Sequence, residues 1–410
     1  MIHIDDLAPL WLLLALVAAA VAVAIVARRF ALPYSVALVL FGLALSIAGP
    51  NVRLPVSPDL LLAIVLPGLV FEAAFRTDVD VLRPAAAGVL LLAIPGVVVV
   101  AAIVALVLST TSGLTFTEAF LVGAMVAATD PAAVLSTFRR ANVPVRLATI
   151  VEMESLVNDG TGIVLFALAI EMLSGAGSLG GSIVGFAVSV VGGGLLGAVF
   201  GGLAARLVRG VDDHLTELAI TVVLAYGTYL AADALGLSGV IATLLAAGIF
   251  GATARGGLTP RATEAIDVVW EFAAFLLTAG VFLLVGLAIA PQTLVMAAAP
   301  IAWGIVAILV GRAVVVYGLL GPMTAAIDRF GRRDPASAAA IPRAWLHVLF
   351  WAGLRGAVSV ALALSLPAGL PNRELLQGIV FGIVLFTLIV QGTTSGWVLR
   401  RTGADVDAGA

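Results

Sequence analysis

Apolar runs of about 20 residues, enough to cross the ~30 Å hydrocarbon core of a bilayer, follow one another along almost the whole chain. Divided at polar and Pro/Gly-rich breaks, they give thirteen candidate spans. These lie at approximately 8–27, 31–49, 58–76, 86–110, 117–138, 149–173, 180–206, 214–234, 238–254, 264–290, 293–321, 343–367 and 374–399. Hydrocarbon offers backbone groups no water, so each segment must close its own hydrogen bonds, and a helix of this length does so. With 62% hydrophobic and 11% charged residues, a soluble domain is excluded. The expected fold class is all-α and polytopic, with thirteen transmembrane helices.

Charge placement sets the orientation. Every basic residue is an arginine. The connections after odd-numbered spans hold 17 of them, those after even-numbered spans only Arg53 and Arg373, and Arg312 and Arg355 lie inside spans. By the positive-inside rule the amino terminus is outside and the carboxyl terminus cytoplasmic, as for a multi-pass protein of a prokaryotic cell membrane. Asp5 and Asp6 precede the first apolar run and Arg28 and Arg29 follow it, the reverse of a signal peptide. There is no cysteine, and the three histidines lie in different segments. Disulfides, thiol chemistry and a resident metal or other cofactor are therefore not expected. Gly193, Gly197 and Gly201 recur every fourth residue, a spacing that admits a neighbouring backbone.

Ionisable groups at bilayer depth are costly and mark ion pathways by default. Span 5 carries Thr129-Asp130-Pro131. Pro131 has no amide hydrogen to continue a helix, and Asp followed by Pro suits an N-cap and first helical position. A helix broken here can open a cavity and start again. Span 6 carries Glu154, Ser155, Asn158 and Asp159. Residues four apart share a face, so Ser155 stacks with Asp159 and Glu154 with Asn158. A hard cation such as Na⁺ needs several oxygen ligands; Asp130, the Thr129 backbone oxygen, Ser155 and Asp159 supply four.

Span 12 holds Gly353-Leu354-Arg355-Gly356. Flanking glycines weaken the helix, and Arg355 cannot lose its proton and needs a partner. Glu154 is the expected one. Span 12 follows span 5 by an odd offset, so their broken segments run antiparallel, the signature of an inverted-topology repeat whose two broken helices cross at the midplane. Asp130 would offset the positive helix ends and Arg355 the negative ones. Glu271 and Arg312 lie at similar depth in spans 10 and 11 and are expected to form a structural ion pair, because a lone charge there is costly. Glu72 lies near the inner end of span 3, within reach of the pathway.

With these residues in view, the chain resembles the monovalent cation:proton antiporters, specifically the prokaryotic NhaP-type sodium/proton exchangers. The matching stretches are FEAAFRTD (71–78), ATDPAAV (128–134), ESLVNDGTGIV (154–164), WEFAAFLLTAGVFLLVGL (270–287) and HVLFWAGLRGAVSVALAL (347–364). The resemblance implies a single transport domain over 1–410 and a homodimer. A core of 86–173 and 293–399 would move against a scaffold of 8–76 and 214–290, with 180–206 linking them. It implies cation binding by Asp130, Asp159, Ser155 and the Thr129 backbone, with Glu72 acting through water. Glu154 and Arg355 would support Asn158.

The expected function is exchange of Na⁺ or Li⁺ for H⁺, electroneutral and one for one, because the position before Asp159 is Asn158, which carries no proton. K⁺/H⁺ exchange on the same fold is the nearest alternative. An intramembrane aspartyl protease would also use two membrane aspartates, but the Gly-x-Gly-Asp stretch of presenilin-type enzymes does not occur.

Overall fold

The computed structural model describes residues 8–30, 32–49, 58–141, 143–175, 179–254, 257–331 and 341–404. Among these residues the regular structure is helical, with no strand. The first half contains α1 (Ala8–Arg29), α2 (Tyr34–Ala48), α3 (Pro58–Arg76), α4 (Val79–Leu82), α5 (Ala86–Ala93), α6 (Pro95–Thr111), α7 (Phe116–Ala127), α8 (Ala132–Arg140) and α9 (Val145–Leu173). Then come α10 (Leu179–Val208), α11 (His214–Ala234), α12 (Gly239–Ala254), α13 (Pro260–Ala288), α14 (Pro291–Met296) and α15 (Ala298–Ala313). The last are α16 (Gly321–Gly331), α17 (Arg343–Trp351), α18 (Ala357–Leu364), α19 (Arg373–Phe386) and α20 (Gly392–Thr402). π-Helical turns, Val314–Leu320 and Thr387–Gln391, join α15 to α16 and α19 to α20. Eight helical stretches of the described residues are long and apolar enough to cross a membrane, and Tyr34–Ala48 and Gly239–Ala254 are shorter apolar helices.

Local chemistry sets the helix ends. Thr115 and Glu118 form a capping box at the start of α7, Glu118 Oε2 accepting from Thr115 N at 2.8 Å, so orphan amides at the helix start are satisfied by side chains. The other oxygen of Glu118 accepts from Asn372 Nδ2 at 2.8 Å, which ties the start of α7 to that of α19. Asp213 caps α11, accepting from Thr216 N at 2.9 Å. The hydroxyl and then the amide of Thr216 hold the Asp213 carboxyl below its usual range. That cap is therefore intact above the ordinary carboxylate pKa and weakens as pH falls through the lowered one.

The helices pack in two groups. In one, α7 lies on α6, α9 and α19, while α15 lies on α6 and α19. In the other, α13 lies on α2 and α3, and α12 on α3, α10 and α11. The groups meet where α12 touches α9 and where α18 touches α3 and α13. A Cβ on Gly193 would lie 2.7 Å from Ser238 O, on Gly197 2.9 Å from Ala242 Cα, and on Gly201 2.5 Å from Ala246 O. The four-residue glycine repeat is thus the seam along which the backbones of α10 and α12 approach.

Among the described residues, stretches of four and five residues leave helical form inside an apolar run at 128–131, between α7 and α8, and at 352–356, between α17 and α18. The two interruptions touch: Asp130 N donates to Leu354 O at 2.8 Å. Each supplies backbone partners that the other has lost, which is what hydrocarbon depth requires.

Candidate functional site

Asp130 sits where two helices begin. Its Oδ1 accepts from Ala132 N at 3.0 Å, at the start of α8, and its Oδ2 from Ala357 N at 3.2 Å, at the start of α18. One carboxylate therefore meets the positive ends of both half-helices. Arg355 serves the opposite pole. Its Nη1 donates to Ala127 O and, at 3.1 Å, to Ala128 O, at the carboxyl end of α7. The side chain is 1% exposed, and its Nε has no hydrogen-bond partner among the described residues.

Asn158 and Ser155, on α9, close onto the first interruption. Thr129 N donates to Asn158 Oδ1 at 3.0 Å, Asn158 Nδ2 donates to Thr129 Oγ1 at 2.7 Å, and Thr129 Oγ1 lies 2.9 Å from Ser155 Oγ. Asp159, the next residue along α9, has no hydrogen bond among the described residues, yet lies within Coulombic range of the Asp130 charge. Thr129, Asp130, Ser155, Asn158 and Asp159 thus gather at one place, with Pro131 beginning the return to helix.

Four sequence expectations are corrected. Glu154 pairs with Arg312, not with Arg355: both terminal guanidinium nitrogens of Arg312 reach it, Nη2 to Oε2 at 2.9 Å. Arg312 also donates from Nε and Nη2 to Leu349 O, at 3.2 and 2.7 Å. It therefore holds the carboxyl end of α17 as Arg355 holds that of α7, and Glu154 neutralises it. The Glu271–Arg312 pair is not formed. Glu271 is exposed and lies 3.5 Å from Arg76. Equal depth did not make these residues neighbours, because α13 packs on α2 and α3 while α15 packs on α6 and α19. Asn158 is fixed by Thr129, with no hydrogen bond to Glu154 or Arg355 among the described residues. Those three groups and Arg312 instead line one small cavity with Ala127 and Val97. Glu72 is likewise not brought to the aspartates; it accepts from Arg76 at 2.7 Å, one helical turn along α3.

The Arg312–Glu154 pair is almost wholly buried, and removing one member strands the other charge. Arg312→Gln or Glu154→Gln alone is expected to lower stability by about 3–5 kcal/mol. The double Arg312→Met, Glu154→Gln variant is expected to be more stable than either single. Thermal unfolding in detergent checks this, and single variants as stable as the parent would contradict it.

Helical spans, two touching interruptions and carboxylates at bilayer depth define a polytopic ion transporter. Residues 13–401 match the family model described as sodium/hydrogen exchanger, transmembrane, and the chain belongs to that family, whose members are multi-pass membrane transporters and not enzymes. It is 37% identical over 390 residues to the Na⁺/H⁺ antiporter NhaS2 of Synechocystis, covering 95% of this chain and 70% of that one. It is 32% identical over 410 residues to the Na⁺/H⁺ antiporter NhaH of Halobacillus dabanensis, covering 95% and 97%. The fold matches the sodium proton antiporter MjNhaP1 of Methanocaldococcus jannaschii with a TM-score of 0.75 and 18% identity, over 96% of this chain and 98% of that one.

Proposed function

We propose that this protein exchanges Na⁺ or Li⁺ for H⁺ across a prokaryotic cell membrane, one for one, with cation and proton competing for the Asp130/Asp159 site. Asp159 carries this reading: it is a carboxylate at bilayer depth with no hydrogen-bond partner among the described residues, beside a second carboxylate. Asp130 already accepts from two helix starts, so it holds the crossing and contributes charge. Asp159 is the group left to exchange its occupant. Ser155 Oγ and the Thr129 backbone oxygen complete the ligand set, with Asn158 and Pro131 holding its shape. The transported ions are substrates, and no cofactor takes part.

Charge balance supports electroneutral exchange. Asp130, Asp159 and Glu154 oppose Arg312 and Arg355, leaving one unit of negative charge on the buried cluster. One Na⁺ or one proton neutralises it. The empty site is penalised in crossing a low-dielectric barrier and the occupied site is not, so the cycle couples one ion to the other. Thirteen spans, an inverted repeat and alternating access belong to the same proposal, with 86–173 and 293–399 moving against 8–76 and 214–290. The amino terminus is outside, the carboxyl terminus is cytoplasmic, and the protein works as a homodimer.

The test is a pH gradient imposed on vesicles containing the purified protein, with Na⁺, Li⁺ or K⁺ added in turn. Na⁺ or Li⁺ is expected to dissipate the gradient. A response to K⁺ alone would move the assignment to K⁺/H⁺ exchange, and no response to any of them would overturn it.

A further inference from the structure

The peptide at Arg355 lies inside the crossing and is buried. It lies in the unwound stretch between α17 and α18, where helical partners are missing. Leu354 O is satisfied by Asp130 N. The next amide, Arg355 N, donates to Thr387 Oγ1 at 3.0 Å. The Thr387 hydroxyl in turn lies 3.0 Å from Val384 O and 3.4 Å from Arg355 O. Among the described residues, Thr387 is the one side chain from outside the two crossing segments that hydrogen-bonds the backbone of 352–356. It is 0% exposed.

Thr387 opens the π-helical turn Thr387–Gln391. A threonine in a regular helix ordinarily bonds a carbonyl one turn back. Here the hydroxyl does that and also accepts from a different segment, and π turns are often found at functional positions. The local winding of the α19–α20 helix coincides with the level of the break that it supports.

We propose that Thr387 is a positioning residue for cation binding: its hydroxyl holds the Arg355 peptide, and through it the placement of Asp130. Leu354 O and the Arg355 guanidinium flank that peptide and reach Asp130 N and the Ala127 and Ala128 carbonyls, respectively. Releasing the peptide therefore disturbs two of the attachments between the first interruption and the second. This inference rests on the Na⁺/H⁺ reading above.

Three proteins reconstituted in vesicles test it: the parent, Thr387→Val and Thr387→Ser. Valine keeps the shape and removes the hydroxyl; serine keeps the hydroxyl. Thr387→Val is expected to raise the Na⁺ KM about tenfold, the scale of an unsatisfied buried amide, at each pH examined. Thr387→Ser is expected to restore the parental KM. A merely structural role would lower the maximum rate through loss of folded protein and leave KM unmoved, so an unchanged KM in Thr387→Val overturns the inference. Should Thr387→Val fail to reach the membrane, Thr387→Cys, with a weaker donor and acceptor of similar size, carries the same comparison. Failure of the parent to exchange Na⁺ would instead sink the functional reading itself.

Discussion

Asp159→Asn is expected to reduce cation-driven proton flux to that of protein-free vesicles while leaving the folded protein intact. Asparagine has the same shape, and the carboxylate it replaces has no hydrogen bond among the described residues to lose. The change also removes the repulsion between Asp159 and Asp130, so the thermal midpoint should stay level or rise. Loss of flux with retained stability separates a transport group from a structural one. Added Na⁺ should stabilise the parent against heat but not this variant, because a ligand stabilises only the state that binds it. Robust exchange by Asp159→Asn would remove Asp159 from the site.

Gly356→Ala is expected to eliminate exchange for a steric reason. A Cβ at Gly356 would overlap Asp130 Oδ2 and lie 2.5 Å from Asp130 Cβ and 2.6 Å from Cγ. Rotating the carboxylate away cannot relieve the clash, since Asp130 Cβ is fixed by its own backbone. Both carboxylate oxygens are also held by helix-start amides. The two interruptions must then part, opening the Asp130 N to Leu354 O contact, at a cost of about 3 kcal/mol. Gly280→Ala is the control: nothing lies within 4 Å of a Cβ there, and alanine is the better helix former. Flux and thermal midpoint should fall together in Gly356→Ala and stay at parental levels in Gly280→Ala. A Gly356→Ala protein that exchanges normally would contradict the close approach of the two segments.

Much of this site is legible in the sequence because its parts obey local rules. Pro131 and the glycines at 353 and 356 announce places where a helix cannot continue. Four-residue spacing puts Ser155 and Asp159 on one face of α9, and Gly193, Gly197 and Gly201 on the seam with α12. Lateral neighbours are another matter. Depth along a span can be counted from residue number, but the partner of Arg312 depends on which helices lie side by side. The pairing with Glu271 failed because α13 and α15 belong to different packed groups. From charge alone Glu154 is the expected partner of Arg355, leaving Asp130 and Asp159 free; the structure gives Arg355 carbonyls at the end of α7, partners that no side-chain inventory contains. Thr387 left no signal either. It is one threonine in an apolar helix, and the π turn that directs its hydroxyl has no compositional mark.

The central claim is that one Na⁺ and one proton compete for a single unit of negative charge. It is tested most directly by measuring initial Na⁺ uptake into vesicles across a range of pH, with current recorded from the same preparation. Competition predicts that the Na⁺ KM rises about tenfold per pH unit on the acid side, while the maximum rate at saturating Na⁺ is retained. One-for-one exchange predicts no current and no response to an imposed membrane potential. A Na⁺ KM independent of pH, or a steady exchange current, would contradict it.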